Sequence, residues 1–219
     1  MNRRRAEHPP EPTSPGRITS IEPQQRDDAR MNIHLDGKFA FGLHVDVVLN
    51  HRLSIDTHLS AEDIAQLLAE DEVKKAITAA LNLIAFRPRA SGELQRKLRE
   101  KGYPPEAAEA AINRMRDLGY LNDATFADRW IENRQEHRPR SRRMLTQELR
   151  QKGIDADTIE AALEETEIDE FGDALDLARK KASSMQDLDT PTRHRRLSGF
   201  LSRRGYGFDV IRKVLEEIG

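Results

Sequence analysis

The stretch PRSRRMLTQELRQKGI, residues 139–154, decides the fold because its pattern occurs three times in the chain. In each copy a proline is followed by a glycine fourteen residues later. Successive copies are 51 and then 52 residues apart, at Pro88, Pro139 and Pro191 and at Gly102, Gly153 and Gly205. Similarity at a fixed period is typical of repeat proteins. The sequence therefore predicts three diverged copies of one structural unit.

The spacing inside each copy predicts three short helices. The proline ends the first helix, because proline cannot donate the backbone hydrogen bond that a helix interior needs. A hydroxyl residue just after it is expected to cap the second helix, at Ser91, Ser141 and Thr192. Leucines four residues apart form the buried stripe of that helix, at Leu94 and Leu98, Leu145 and Leu149, and Leu197 and Leu201. The glycine ends the helix in the left-handed conformation, and we expect the three glycines to behave alike.

One unit alone cannot bury its apolar stripe, so neighbouring units are expected to pack on one another. The predicted fold is mostly α-helical, with three tandem three-helix repeats in an elongated array. A linker helix and repeat 1 occupy residues 60–122, repeat 2 occupies 123–170 and repeat 3 occupies 171–219. In repeat 2, the helical spacing of Phe126, Trp130 and Ile131 predicts that they face the core.

The residues before the repeats predict a tail and a small β element. Residues 1–17 contain four prolines and little that can be buried, which predicts a disordered tail. Residues 18–59 predict three short strands, with Asp36-Gly37 as a hairpin turn because both positions of a type I′ turn need positive φ. A short helix is expected at Val45–Asn50.

A long helix is expected to begin after Ser60, which is a good N-cap. Apolar residues recur at helical spacing from Ile64 to Ile84, and Pro88 ends the pattern. Asp71-Glu72 leaves open a break into two helices.

Composition excludes several classes of function. The 219 residues contain no cysteine, which excludes disulfides, cysteine-ligated metals and a thiol nucleophile. There is no run of 18 apolar residues to span a membrane, and no apolar stretch near the start that would form a signal peptide. Phosphate-binding glycine loops and catalytic motifs are also absent from the sequence. We expect a cytoplasmic monomer without cofactor or metal, which acts by binding and not by catalysis.

Charge is distributed unevenly along the chain. Residues 87–153 contain 16 basic and 10 acidic residues, whereas the segments before and after them are net acidic. Cations gather at the start of the second helix of repeat 2, where they oppose the helix dipole, and this indicates a partner-binding role. The candidate partner- or DNA-binding residues are Arg89, Lys97, Arg138, Arg140, Arg142, Arg143, Arg193, Arg195, Arg196, Arg203 and Arg204.

Residues 119–154 resemble the RecX family of bacterial regulators of the RecA recombinase. The resemblance is carried by Gly119-Tyr120-Leu121-Asn122-Asp123, Phe126-Ala127, Trp130-Ile131, Arg138-Pro139-Arg140, Glu148-Leu149 and Lys152-Gly153-Ile154. It extends from about Ile18 to the end of the chain and implies the same tandem three-helix fold. It also implies binding in the groove of the RecA–DNA filament, with inhibition of RecA in DNA recombination, DNA repair and the SOS response.

Two other functions remain open from the residues themselves. The arginines are also suited to a stand-alone regulator that binds the DNA backbone directly, although a pI near 6.4 is low for a dedicated DNA-binding protein. Alternatively, the repeats are a protein-interaction scaffold unrelated to recombination. Binding to naked DNA, compared with binding to a RecA–DNA filament, separates these functions.

Overall fold

The computed structural model describes residues 14–25 and 27–219 of the chain. These residues form strands β1–β4 and helices α1–α10 in the order β1 (Gly16–Gln24), β2 (Asp27–Leu35), β3 (Lys38–His44), α1 (Val45–Asn50), β4 (His58–Leu59), α2 (Ala61–Phe86), α3 (Ser91–Glu100), α4 (Pro105–Asp117), α5 (Asp123–His137), α6 (Arg142–Gln151), α7 (Ala156–Glu165), α8 (Glu170–Ala182), α9 (Thr190–Ser202) and α10 (Phe208–Ile218). A short 3₁₀ turn, Ser183–Met185, follows α8. The chain divides into two compact units.

The first unit contains the described residues up to Arg87 together with Leu94–Tyr120. Its antiparallel sheet has the strand order β3-β2-β1-β4. The Asp36-Gly37 turn joins β2 to β3 with φ values of 49° and 80°, which confirms the predicted hairpin and its positive dihedrals. Alternate strand residues, including Ile18, Ile33 and Leu43, pack against α1 and α2 to form the core.

Two expectations for this region are corrected. The predicted tail, residues 1–17, ends too late, because Gly16 and Arg17 belong to β1 and pair with the fourth strand, β4. The Arg17 backbone amide also donates to Asp36 Oδ1. Sequence patterns missed β4, since two residues are too few to show alternation. The rest of the predicted tail, residues 1–13, lies outside the described residues.

The long helix α2 is continuous through Asp71-Glu72, so the break that the sequence left open does not occur. Asp71 is fully buried and accepts two hydrogen bonds from the Arg30 guanidinium, at 3.1 and 2.9 Å, and one from the His44 amide at 2.7 Å. Burial alone would raise the pKa of Asp71, but the hydrogen bonds and charges of Arg30 and Lys75 hold it below its usual value. This ion pair ties α2 to the sheet.

The second unit contains Pro88–Glu93 and Leu121–Gly219. It holds the second three-helix domain, α5–α7, and the third, α8–α10, and in each domain the first helix packs on the last. The predicted leucine stripe is confirmed in all three domains, because the paired leucines are fully buried: Leu94, Leu98, Leu145, Leu149, Leu197 and Leu201. Within the repeat-2 trio, Ile131 is fully buried, whereas Phe126 and Trp130 are partly buried at the edge of the core.

The predicted helix ends are correct at the glycines but not at every cap. Gly102, Gly153 and Gly205 have φ values of 93°, 82° and 91°, as a left-handed helix end requires. Ser141 caps α6 by accepting from the Met144 amide. Thr192 does not cap α9; Asp189 does, because α9 begins at Thr190 and places Pro191 in its first turn.

Ser91 also departs from the prediction, since it is the first residue of α3 and not its cap. Its amide donates to Asp123 Oδ1 at 2.7 Å, and its hydroxyl donates to the same carboxylate. Asp123 opens α5, so one carboxylate joins the start of α3 to the start of the second domain.

Within the second unit, two helix N-termini pack against the left-handed turn of the following repeat. A Cβ atom built on Gly92 would lie 2.5 Å from Gly153 Cα. In the same way, a Cβ on Gly205 would lie 2.4 Å from Ser141 Oγ, and the Ser141 amide donates to the Arg204 carbonyl at 3.2 Å. We call these contacts the Gly92–Gly153 junction and the Ser141–Gly205 junction.

Candidate partner-binding surface

Helix α6 is strongly amphipathic, which fixes where its charges point. Leu145 and Leu149 face the core and are fully buried, whereas Arg142, Arg143 and Arg150 are exposed. The only acidic residue of the helix, Glu148, is partly buried. The outer face of α6 therefore carries cations without an acid among them.

Glu148 is directed toward α5 and is occupied there. Its Oε2 accepts from Trp130 Nε1 at 2.9 Å and from Arg134 Nε at 2.7 Å, and its Oε1 lies 3.7 Å from Arg140 Nε. Hydrogen bonds that involve a charged group are stronger than neutral ones, so this arrangement holds α6 firmly on α5. Glu148 therefore does not neutralise the outer arginines of α6.

Trp130 is the centre of a wider network. The Arg134 guanidinium lies 4.1 Å from the Trp130 ring centroid, and Lys152 Nζ lies 4.0 Å from it, so two cations contact the indole. Phe126 stacks beside the indole at 6.0 Å. Lys152 also lies 3.6 Å from Glu93, at the Gly92–Gly153 junction. The polar edge of Trp130 is thus used inside the protein, by the hydrogen bond to Glu148.

Several of the predicted partner-binding cations are engaged within the protein. Arg89 donates to Glu93 at 2.8 Å and its side chain is only 8% exposed. Arg142 donates to the Thr166 carbonyl at 3.2 Å, at the end of α7. The remaining members of this group are Lys97, paired with Glu100; Arg140, beside Glu148; Arg193, bonded to the Gly219 carbonyl; and Arg204, stacked on Phe200.

The Ser141–Gly205 junction shows why Arg140 and Arg204 do not belong to an open surface. Burial lowers the pKa of Arg204, and the nearby charge of Arg140 adds to this effect. Burial likewise raises the pKa of Tyr206, whose hydroxyl has no hydrogen-bond partner among the described residues. Tyr206 is buried, and Arg140 and Arg204 are half-buried where the second and third domains meet.

The other predicted cations are exposed and form no ion pair with an acidic side chain in the described part of the chain: Arg138, Arg143, Arg195, Arg196 and Arg203. Of these five arginines, Arg143 lies on α6 beside Arg150, another exposed arginine with no acidic partner among the described residues. Arg150 was not among the residues predicted from the sequence. Arg150 follows Arg143 by seven residues, so two helical turns bring both to one face. The spacing alone could have revealed it.

Arg143 and Arg150 line one shallow surface depression together with Thr146, Gln147 and Gln151. We call this surface the α6 basic face. Guanidinium groups bind carboxylates and phosphates through two parallel hydrogen bonds, and the neighbouring Gln147 amide is able to donate and to accept. The surface is therefore suited to binding an anionic group on a large partner.

Two features limit the chemistry of the molecule in its described residues. In those ranges no three His, Asp or Glu side chains come together as a metal site would require. No helix there has the length and apolar character needed to cross a bilayer. The histidines His44, His51 and His58 are spaced seven residues apart, and His51 hydrogen-bonds to Glu70 at 2.9 Å.

The fold and the α6 basic face define a class of protein: a small N-terminal sheet followed by three tandem three-helix domains, with cations displayed on the middle domain. Family comparison gives the same order of parts. Residues 16–60 match the Regulatory protein RecX N-terminal domain, and residues 76–115, 122–163 and 168–215 match the first, second and third three-helix domains of RecX. The chain belongs to the RecX family.

Individual relatives agree. Regulatory protein RecX of Bacillus subtilis (strain 168) is 33% identical over 202 residues, which cover 92% of this chain and 76% of that protein. Regulatory protein RecX of Streptomyces coelicolor is 37% identical over 154 residues, covering 68% of this chain and 82% of that protein. A crystal structure of regulatory protein RecX superposes with a TM-score of 0.72 at 26% identity, covering 92% of this chain and 99% of the other.

Proposed function

We propose that this protein regulates the RecA recombinase by binding the RecA–DNA filament and lowering its activity. Support comes from membership of the RecX family, whose relatives are named regulatory proteins. On this proposal the protein works without catalysis, as a monomer in the cytoplasm, and contacts the DNA backbone only through the filament.

The α6 basic face is the observation that carries the proposal. Its two arginines are exposed and are not paired with acids within residues 14–25 and 27–219, while Glu148 is held against α5. A stability-only sequence would place acids at the start of α6, because the helix dipole is positive there. Arg142 and Arg143 follow the Ser141 cap directly, and the acid that meets the start of α6 comes from another helix, α8, where Glu170 accepts from the Arg142 amide at 2.7 Å. Cations kept at an unfavourable position favour a role in recognition.

The test is inhibition of RecA by variants that reverse this face. Arg143→Glu combined with Arg150→Glu should raise the concentration needed for half-inhibition of RecA strand exchange or ATPase by roughly thirtyfold, since two attractive contacts of about 1 kcal/mol each are lost. Inhibition by the unmutated protein should also weaken as salt rises, because exposed charges are screened.

The matched control is Arg99→Glu with Arg114→Glu. Both arginines are exposed, lie in the net-basic third of the chain and form no ion pair with an acidic side chain in the described residues. The change in net charge is the same, so a general electrostatic effect would alter both variants equally. If both doubles inhibit as well as the unmutated protein, α6 is not the binding face. If the unmutated protein binds naked DNA tightly but leaves RecA activity unchanged, the proposal is wrong and stand-alone DNA binding takes its place.

A further inference from the structure

A groove runs between α6 and α7 on the side of α6 next to its basic face. One wall consists of Arg142, Thr146 and Arg150, which follow one another at intervals of four residues on α6. The opposite wall carries Glu160 and Glu164, four residues apart on α7. The floor is apolar, formed mainly by the buried side chains of Ile159 and Leu163. We call it the α6–α7 groove.

The charges of the two walls face one groove without neutralising one another. Among the described residues, neither Arg142 nor Arg150 forms an ion pair with Glu160 or Glu164. Arg142 instead donates to the Thr166 carbonyl, and Arg150 makes no side-chain hydrogen bond in the described structure. All four side chains are exposed. The groove therefore has an exposed positive wall and an exposed negative wall, above an apolar floor that is already almost fully buried.

We propose that the α6–α7 groove binds a helical segment of a protein partner, one that presents acidic side chains to α6 and basic side chains to α7. Charges on the walls repeat every one or two helical turns, which is the spacing of side chains along one face of a helix. The centre of that segment would rest on the floor between the two walls, and its attraction to the groove comes from the charged walls, because Ile159 and Leu163 are already buried. The inference rests on the proposed function and names the protein component of the filament as the partner of this face.

Charge decides between a polypeptide and a nucleic acid here. A DNA backbone carries negative charge along its whole length. A strand laid against Arg142 and Arg150 would also approach Glu160 and Glu164, which repel phosphate. A polypeptide can carry both signs and can match both walls, so complementarity of the two walls favours a protein partner.

The test reverses the acidic wall, because protein and DNA partners then respond with opposite signs. Glu160→Lys with Glu164→Lys is measured in full-length protein for inhibition of RecA ATPase and for binding of a labelled single-stranded oligonucleotide without RecA. The control is Glu132→Lys with Glu136→Lys, which has the same i, i+4 spacing on exposed positions of α5 and the same change in net charge. Relative to this control, we expect the α7 variant to need about five times more protein for half-inhibition, and to bind the oligonucleotide no more weakly.

Each outcome bears on one of the two proposals. If the unmutated protein inhibits RecA and the α7 variant inhibits as well as its control or better, the polypeptide inference is overturned while the proposed function stands. If the unmutated protein has no effect on RecA, the proposed function fails and the inference fails with it. Circular dichroism verifies that the variants are folded, and Glu160→Gln with Glu164→Gln provides a milder pair. That pair should give the same ranking with a smaller change, and an unchanged half-inhibition in it would also overturn the inference.

Discussion

Alanine in place of Gly153 would test the Gly92–Gly153 junction, because two separate effects combine at this residue. Gly153 has a φ of 82°, which a residue with a Cβ adopts only at a cost. The new Cβ would also lie 2.6 Å from Gly92 Cα, a backbone atom that cannot rotate away. Gly102 shares the first effect, with a φ of 93°, but apart from its own chain neighbours no described residue has a heavy atom within 4 Å of the corresponding Cβ. Gly92→Ala shares only the second, since Gly92 lies in a helix.

The two effects give an expected loss in the free energy of unfolding for each variant. Left-handed strain costs about 1–2 kcal/mol for a non-glycine residue, so Gly102→Ala should lose about that much stability. Forcing an extra carbon into a packed contact typically costs a further 1–3 kcal/mol, so Gly153→Ala should lose about 2–5 kcal/mol. In Gly92→Ala the same clash is offset by up to about 1 kcal/mol, because alanine is the better helix former.

Thermal unfolding followed by circular dichroism measures the series. For a chain of this size, 1 kcal/mol corresponds to roughly 2–4 °C in Tm. We expect the loss to be largest for Gly153→Ala, with both Gly102→Ala and Gly92→Ala clearly smaller. Equal losses for Gly153→Ala and Gly102→Ala, with Gly92→Ala neutral or more stable, would refute the close contact between the two backbones. In that case Gly153 would act only as a helix end.

Three other measurements test contacts described above. Glu148→Ala should destabilise by about 2–4 kcal/mol and alter Trp130 fluorescence, because the indole N–H and Arg134 lose their acceptor and Arg140 loses its ion-pair partner. An unchanged emission spectrum would contradict the network. Asp71→Asn should remove part of the acid sensitivity of the fold. A carboxylate whose pKa is depressed in the folded state stabilises the protein above its unfolded pKa of about 4, and this stabilisation is lost as pH falls through the folded pKa. In urea titrations the unmutated protein should therefore lose stability below about pH 4 more steeply than the variant. Removing residues 1–17 should lower Tm more than removing residues 1–13, because only the longer deletion removes β1 residues Gly16 and Arg17; equal Tm values would show that the pairing with β4 contributes nothing.

Much of the fold could be predicted from local patterns. The left-handed glycines and the leucine stripes follow from chemistry that acts within a few residues, and repetition at a constant interval distinguishes them from chance. The Asp36-Gly37 turn is of the same kind. The predictions failed where a competing local residue was present, as when Asp189 and not Thr192 capped α9.

The candidate binding surface was harder to predict, because the exposure of an arginine depends on residues distant in sequence. Arg89 and Arg140 resemble Arg143 in the sequence, yet Glu93 and Glu148 hold them inside. Composition shows a basic segment but does not show which cations already have acidic neighbours. Arg150, by contrast, was overlooked although helical spacing from Arg143 was sufficient to find it.

Divergence of the repeats explains why the middle domain displays its cations. Alignment of the prolines places Gly92, Arg143 and Arg195 at equivalent positions of the three copies. At the first of these positions the glycine allows backbone contact with Gly153, so no side chain projects there. In the second copy the junction instead uses Ser141 and Met144 against Gly205.

Position 143 is therefore free of the packing role that its counterpart has, and it can carry an exposed arginine without opening the contact between domains. An arginine at position 92 would have to displace the Gly153 backbone, whereas a glycine at position 143 would leave the Ser141–Gly205 contact in place and remove only the cation. Structure thus constrains the first copy to a small residue, whereas the contact between the second and third domains does not fix the residue at position 143.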